Sequence, residues 1–233
     1  MEQQVLFDQI HRGLIVSCQA LETEPLYRPE GGVMPLMARA AQMSGAAGIR
    51  TNTVRDIVQI KQAVDLPVIG IIKKEYPGTA MYITVTMAEV DALVACGADI
   101  VAVQGTGALR PDGSTSAEFI RAIKAKYPDQ LVMADIARLE EGIACCEAGA
   151  DFVGTTMCGY TPETRGQDAL NLQLVQELAA HVSCRVIAEG HIHRPEQAVQ
   201  CLDAGAWAVV VGGAITRPAE ITARFTEAIR TRR

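Results

Sequence analysis

Short apolar runs of strand length recur along the whole chain, and segments with apolar residues at helical spacing lie between them. The runs are continuous rather than alternating, which is typical of strands that are covered on both faces. Strands that alternate with helices in this way predict a parallel sheet. We predict eight strands, at residues 14–18, 47–50, 67–72, 100–104, 131–136, 152–155, 185–189 and 208–212.

The helices between these strands are marked by their spacing and by their first residues. Thr86 with Glu89, and Thr115 with Glu118, have the spacing of a capping box. Pro218 lies where a first helical turn would begin, a position at which the missing N–H of proline costs little. The clearest apolar periodicity predicts helices around 119–127, 174–182 and 221–229.

The dipeptide Gly-Ala recurs in nearly constant phase before every second strand. Its glycines are separated by 52, 52 and 56 residues, and they are Gly45, Gly97, Gly149 and Gly205. Glycine at such a place can adopt the left-handed conformation that ends a helix. A doubly wound open sheet needs no fourfold phase, and no G-x-G-x-x-G follows the first strand. We therefore predict an α/β chain that forms a single (β/α)8 TIM barrel over residues 1–233.

Composition limits the kinds of molecule that the chain is expected to bind and the cell compartment in which it is expected to work. The net charge is −6 and there is no basic aromatic stripe, which argues against nucleic acid. The longest apolar run, 204–215, is too short to cross a bilayer, and the first residues lack the pattern of a secretory leader. Seven dispersed cysteines, none in a C-x-x-C pair, are expected to be buried thiols of a cytoplasmic protein.

Polar residues at the carboxyl ends of the strands are the candidate chemistry, because barrels of this kind carry their active sites there. Lys73 follows the third strand directly, and strand alternation puts it on the same face as Ile69 and Ile71, with Lys74 on the other. An amine enclosed by apolar walls has a lowered pKa and can act as a base near neutral pH. A surface lysine that snorkels is the alternative reading, and Lys74 remains open as the inward one.

Two carboxylates accompany this lysine. Asp135 ends the fifth strand and Glu189 ends the seventh. A lysine with two carboxylates suits the removal and return of a proton beside a carbonyl, although a structural ion pair would also explain them. His191 and His193 with Glu189 form only a weak metal-ligand pattern, and we predict no metal site.

Glycines after the last two strands predict a phosphate site. Gly212 and Gly213 follow the eighth strand, and Gly190 follows the seventh. Residues without side chains let backbone N–H groups approach an anion, and these two loops commonly hold phosphate in barrels. A tight turn that merely closes the barrel is the alternative.

Together these segments resemble the N-acetylmannosamine-6-phosphate 2-epimerase family over nearly the whole chain and in the right order. The motifs that carry the resemblance are LIVSCQ at 14–19, GIIK at 70–73, MAD at 133–135, GTT at 154–156, GYTP at 159–162, VIAEG at 186–190 and VGGAITR at 211–217. The resemblance implies a cofactor-free barrel, usually a homodimer, that acts on a small phosphosugar. The implied reaction interconverts N-acetylmannosamine 6-phosphate and N-acetylglucosamine 6-phosphate during sialic acid breakdown.

Roles for single residues follow from the resemblance. Lys73 would abstract and return the C2 proton, and Glu189 would assist in handling protons at the sugar. The residues expected to bind the sugar are Gln19, Arg50, Asp135 and Thr155. The residues expected to bind its phosphate are Gly190, Gly212 and Gly213.

The chain also departs from the family pattern. Gln104 stands where an aspartate is common, and His191 and His193 differ from the residues expected after Glu-Gly. Two further hypotheses remain at this point. One is another phosphate-binding barrel with isomerase or lyase activity, and the other is a noncatalytic phosphosugar sensor.

Overall fold

Eight parallel strands form a closed barrel in chain order, as seen in a computed structural model that describes residues 3–232. This confirms the predicted (β/α)8 architecture. The strands are β1 Leu14–Cys18, β2 Gly48–Asn52, β3 Val68–Ile71, β4 Ile100–Gln104, β5 Leu131–Asp135, β6 Phe152–Gly154, β7 Arg185–Glu189 and β8 Ala208–Val211.

A helix follows each strand, and one further helix precedes β1. The helices are α1 Gln3–Ile10, α2 Val33–Met43, α3 Val54–Ala63, α4 Met87–Ala95, α5 Ser116–Lys126, α6 Leu139–Glu147, α7 Leu172–His181, α8 Pro195–Asp203 and α9 Pro218–Arg230. The glycines of the Gly-Ala repeat follow α2, α4, α6 and α8, and their φ angles are 86°, 80°, 104° and 101°. Each of these glycines therefore follows the end of a helix and has the left-handed conformation, as predicted.

Apolar side chains form two layers on either side of the strands. The outer layer lies between the strands and the helices and includes Val101 and Val209. The inner layer fills the barrel, where Phe152 meets Phe7 of α1 edge-on with ring centres 5.7 Å apart. Because α1 packs into this layer, the barrel is filled at the amino ends of the strands and opens only at the carboxyl ends.

The buried cysteines belong to the outer apolar layer, whereas the strand alternation concerns the inner one. Four of the seven cysteines are buried and the other three are half-buried, and all are free thiols. Ile69 and Ile71 belong to the inner layer, so the face that alternation assigned to Lys73 is the inside of the barrel.

The pairing between β3 and β4 is the shortest in the barrel. These strands pair at only two positions, whereas β4 and β5 pair at five. The chain beyond β3 forms a hairpin over residues 72–84, in which Lys73 pairs with Ile83 in antiparallel fashion. We call this segment the Lys73 hairpin. It explains why β3 ends one residue earlier than predicted, since Ile72 bonds to Thr84 rather than to β4.

The last helix, α9, packs poorly against the rest of its own chain. Within residues 3–232 it has no buried residue, and Phe225 and Ile229 are 68% and 71% exposed. A groove of about 320 Å³ lies between α8 and the outer faces of β8 and β1. None of the helices described here is long and apolar enough to cross a membrane.

Phe152→Ala should destabilise the fold by roughly 3–5 kcal/mol, because the phenyl ring is fully buried where α1 closes the barrel. Urea unfolding followed by circular dichroism measures this change. Leu109→Ala is the matched control, since Leu109 is 54% exposed and its truncation should change stability by less than about 0.5 kcal/mol. Equal effects of the two substitutions would contradict the assignment of Phe152 to the core.

Candidate active site

A cavity of about 580 Å³ lies at the carboxyl ends of the strands. This volume is within the usual range for small-molecule sites. Most of the residues predicted from the sequence line it, namely Gln19, Arg50, Lys73, Glu189, Gly190, Gly212 and Gly213. The structure thus brings together strand ends that are widely separated in the chain.

Arg50 is the charged centre of the cavity floor. It is 1% exposed and donates two hydrogen bonds to Asp135, of 3.0 and 2.7 Å. Its Nη1 also lies 3.1 Å from Oε2 of Glu189. Burial alone would lower the pKa of Arg50, but the two carboxylates outweigh it and raise the pKa above its ordinary value. The guanidinium is therefore a permanent cation held from two sides.

Glu189 combines burial with a place on the cavity wall. Its side chain is 13% exposed, and burial raises its pKa despite the opposing effect of Arg50. Thr156 Oγ1 lies 3.1 Å from Oε2 of Glu189 and 2.7 Å from Oδ1 of Asp135, so it bridges the two carboxylates. A carboxyl group in this environment accepts a proton more readily than an exposed glutamate.

Lys73 lines the same cavity, opposite Glu189 in the strand order of the barrel. Burial lowers its pKa to about 8, and the positive charges of Arg50 and Arg217 contribute in the same direction. Within the described residues, no carboxylate oxygen lies within 4.0 Å of its amine. Lys74 is exposed and its amine lies 5.1 Å from the ring centre of Tyr76. Lys73 is thus the residue suited to act as a base.

Gln19 presents an unused acceptor to the cavity. Its Nε2 donates a hydrogen bond of 2.8 Å to Ser17 Oγ, and the residue is 5% exposed. Its Oε1 is buried and has no hydrogen-bond partner in the part of the chain that the structure describes. Buried acceptors are rarely left unpaired, so this oxygen is placed to accept from an N–H or O–H group of a ligand.

The loops after β7 and β8 line one side of the cavity. Gly190 has φ of 102°, which favours glycine, and its Cβ position would face the backbone of Thr155 and Thr156. The backbone N–H groups of Gly190 and Gly213 have no acceptor among residues 3–232. Arg217 stands beside them, bound to Glu24 at 2.9 Å and to Glu220 at 3.1 Å. Free backbone donors beside a cation suit a phosphate group.

Two predicted sugar-binding residues, Asp135 and Thr155, do not line the cavity. The Thr155 hydroxyl is buried and bonds to the backbone O and N of Glu189, at 2.8 and 3.0 Å, so it fastens β6 to β7. Thr156 lines the cavity in its place. Asp135 is completely buried beside Arg50 and is not among the lining residues. Alternation from Phe152 through Gly154 would have indicated Thr156 as the inward residue.

The two unexpected histidines and two tyrosines complete the wall. His191 has φ of 56°, its Nε2 lies 3.2 Å from the carbonyl oxygen of Cys158, and its ring stacks on Tyr160 at 5.2 Å. Tyr82 enters from the Lys73 hairpin and had no sequence signal, whereas Tyr160 belongs to the GYTP motif at 159–162. Across residues 3–232 there is no cluster of three or more metal-ligating side chains.

Comparison with known proteins assigns the family. The family model described as "Putative N-acetylmannosamine-6-phosphate epimerase" matches residues 34–231. The chain belongs to this epimerase family. A relative from Caldanaerobacter subterraneus, named "Putative N-acetylmannosamine-6-phosphate 2-epimerase", is 52% identical over 99% of this chain and 97% of its own length. A relative of the same name from an Enterobacter strain is 49% identical over 96% and 95%.

Solved structures agree with this family assignment. The N-acetylmannosamine-6-phosphate 2-epimerase from Clostridium perfringens superposes with a TM-score of 0.90 at 45% identity, covering 96% of each chain. A thiamine phosphate pyrophosphorylase from Pyrococcus furiosus superposes with a TM-score of 0.61 at 19% identity. At that identity the likeness concerns the fold alone.

Asp135→Ala should destabilise the epimerase-family fold by roughly 3–5 kcal/mol, because it leaves the buried Arg50 cation only partly compensated. Asp91→Ala is the control. It breaks a surface pair with Lys126, whose side chains are 41% and 47% exposed, and should cost no more than about 1 kcal/mol. Chemical denaturation measures both, and similar losses would show that the Arg50 pair is not buried in solution.

Proposed function

We propose that this chain interconverts N-acetylmannosamine 6-phosphate and N-acetylglucosamine 6-phosphate by removing and returning the proton at C2. The observation that carries the proposal is the Lys73 amine, which faces the cavity without a close counter-charge and has its pKa lowered to about 8 by burial. The family membership supports the same substrate pair.

The cavity suggests how the substrate lies. The phosphate would bind the backbone N–H groups of Gly190 and Gly213, and Arg217 would contribute a positive charge. Gln19 Oε1 would accept a hydrogen bond from the acetamido N–H or a sugar hydroxyl. The sugar would then extend over Arg50 toward Lys73, with its phosphate anchored at the far side.

The chemistry is proton transfer beside a carbonyl. In the open-chain sugar, C1 is an aldehyde, and this makes the C2 proton acidic. Neutral Lys73 takes that proton and becomes an ammonium, while the C2–H electron pair moves toward C1 and leaves negative charge on O1. Arg50 is placed to stabilise that charge, and Glu189 beside it would assist in handling protons. The enolate then turns its other face toward Lys73, the ammonium returns the proton to C2 and the C1 carbonyl re-forms, which gives the epimer and restores the neutral amine without a cofactor.

The proposal also gives the reaction a metabolic role and a cell compartment. The epimerase would serve the breakdown of sialic acids, as the family resemblance implies. Seven free thiols and a phosphorylated substrate support a location in the cytoplasm.

We also propose that the protein forms a homodimer through α9. In barrels of this type, the helix after the last strand covers the outer faces of β8 and β1. Here those faces line a groove with Leu202 of α8. Ile221, Phe225 and Ile229 form an apolar stripe at i, i+4 and i+8 on a helix that buries none of its residues within residues 3–232. A second copy, with its own α9 seated in the groove, would cover both surfaces.

Lys73→Ala should lower kcat by about 10²–10⁴-fold, since a positioned base contributes on that order, while Lys74→Ala should change it less than about twofold. The measurement is epimerisation of N-acetylglucosamine 6-phosphate in deuterated water, with deuterium at C2 detected by NMR. The fold is checked by circular dichroism.

Three outcomes separate the hypotheses. Deuterium at C2 that disappears in Lys73→Ala supports the proposal. Binding of the phosphosugar without any exchange would indicate a sensor. More than about a tenth of the wild-type rate in Lys73→Ala would contradict a base with the usual contribution.

Phe225→Glu should convert the dimer to a monomer, because it places a charge in the apolar stripe that a second copy would bury. Light scattering coupled to size exclusion measures the mass. Leu109→Glu, on an exposed loop away from α9, should leave the mass unchanged. A wild-type protein of monomer mass would overturn the dimer proposal.

A further inference from the structure

The base proposed above sits on an irregular segment, so its position depends on how that segment is held. In the Lys73 hairpin, the backbone N–H of Lys74 donates to the Tyr82 carbonyl at 2.9 Å, and the N–H of Thr84 donates to the Ile72 carbonyl at 2.8 Å. The hairpin begins beyond the short pairing of β3 with β4. Residues 72–84 are therefore not held by the regular pairing of the barrel strands, and other contacts must hold them.

Asn52 holds the outgoing strand of the hairpin. It ends β2, is 5% exposed, and its Oδ1 accepts a hydrogen bond of 2.9 Å from the backbone N–H of Lys73 itself. This contact fixes the Cα from which the amine projects. Its acceptor is an amide oxygen and carries no net charge.

Gln104 holds the returning strand. It ends β4, is 2% exposed, and its Oε1 accepts from the N–H of Tyr82 at 2.9 Å and from the N–H of Ile83 at 3.4 Å. Its own N–H donates to the Ile83 carbonyl at 2.9 Å. Its Nε2 donates to Thr106 Oγ1 at 3.0 Å, which fixes the orientation of the amide.

A carboxylate in either place would accept the same hydrogen bonds, and charge-assisted bonds are the stronger ones. It would also put a negative charge beside the hairpin, and a nearby negative charge favours the ammonium form of a lysine. Position 104, where the family pattern led us to expect an aspartate, therefore carries the uncharged alternative in this chain. Both ends of the hairpin use an amide.

We infer that Asn52 and Gln104 are positioning residues for Lys73, whose uncharged amide oxygens hold the two strands of its hairpin and leave the amine without an adjacent counter-charge. The inference rests on the proposed function for its catalytic meaning. Its structural part, the effect of the two amides on the ionisation of Lys73, can be measured without substrate.

Other charged groups act on the amine from several elements. Arg50 of β2 and Arg217 before α9 oppose its positive charge, while Glu189 of β7 and Asp135 of β5 favour it. Lys74, Glu75 and Tyr82 of the hairpin itself line the same cavity. The other titratable side chains that line it are Glu24, Tyr160, His191, His193 and Glu220. The substitutions below leave all of these in place.

Asn52→Asp and Gln104→Glu should each raise the pH midpoint for Lys73 by on the order of one unit, because each keeps the acceptor and adds a nearby negative charge. The rate at which an amine-selective acylating reagent modifies Lys73, followed against pH by peptide mass spectrometry on the full chain, gives the midpoint. Gln59→Glu is the matched control. Gln59 Oε1 also accepts from a backbone N–H, that of Gly32, but on the outside of the barrel, so the midpoint should not move.

Asn52→Ala tests the positioning role through turnover. Loss of the acceptor should lower kcat roughly tenfold with KM within about twofold, because the amine is misplaced while the phosphate site is intact. Asn52→Asp restores the acceptor and should recover kcat at pH values above its shifted midpoint. A residue that served only stability would show neither the pH shift nor this recovery.

The outcomes distinguish the inference from the proposed function. Raised pH midpoints for Lys73 in both charged variants support the inference, whether or not the protein exchanges deuterium into the sugar. Absence of that exchange would contradict only the proposed function. Midpoints within about 0.3 units of the wild type in both variants, with circular dichroism unchanged, would overturn the inference whatever the activity.

Discussion

The buried guanidinium of Arg50 is the interaction on which the site depends. It lies on the floor of the cavity, where solvent contributes little, so its charge must be balanced by protein groups. Asp135 and Glu189 supply that balance from β5 and β7, with Thr156 bridging the two carboxylates. Four strand ends around the barrel are thereby held in one hydrogen-bonded unit. The same cation lowers the pKa of Lys73, which links the rigidity of the floor to the reactivity of the proposed base.

The barrel separates stability from chemistry along its axis. At the amino ends of the strands, α1 and the inner apolar layer fill the interior. At the carboxyl ends the inward residues are polar, and the loops leave room for a ligand. Lys73 lies where the regular sheet gives way to the hairpin. An irregular segment can aim a side chain that a regular strand would place elsewhere, but it then needs its own hydrogen bonds, which Asn52 and Gln104 provide.

Groups suited to hold an anion and groups suited to transfer a proton lie on different parts of the cavity wall. Backbone N–H groups of the loops after β7 and β8, together with Arg217, line one part of the cavity, while Glu189 and Lys73 come from strands on opposite sides of the barrel. A phosphosugar bound in this way would be anchored by a group that does not react. Binding energy at such a remote anchor can orient the reacting carbon, and this is how small substrates are commonly held for proton transfer.

Much of this architecture was predictable from local patterns. The eight strands, the fourfold Gly-Ala repeat and the inward face of Lys73 follow from periodicity and from glycine conformation, which neighbouring residues determine. The glycine loops after β7 and β8 were recognisable for the same reason. Even so, alternation alone left Lys74 open, since the chain beyond β3 was not known to continue as a hairpin.

Only the tertiary structure decided which polar groups meet. Asp135 pairs with Arg50, and the Thr155 hydroxyl fastens β6 to β7 while Thr156 reaches the cavity. The sequence also could not show that the apolar stripe of α9 is exposed. Amphipathic spacing predicts an apolar helix face but does not identify the surface against which that face packs. Sequence pattern therefore determined the barrel and its inward positions, since these depend on residues close in the chain. Pairing between side chains from distant strands depends on distances through space, and those exist only once the barrel has closed.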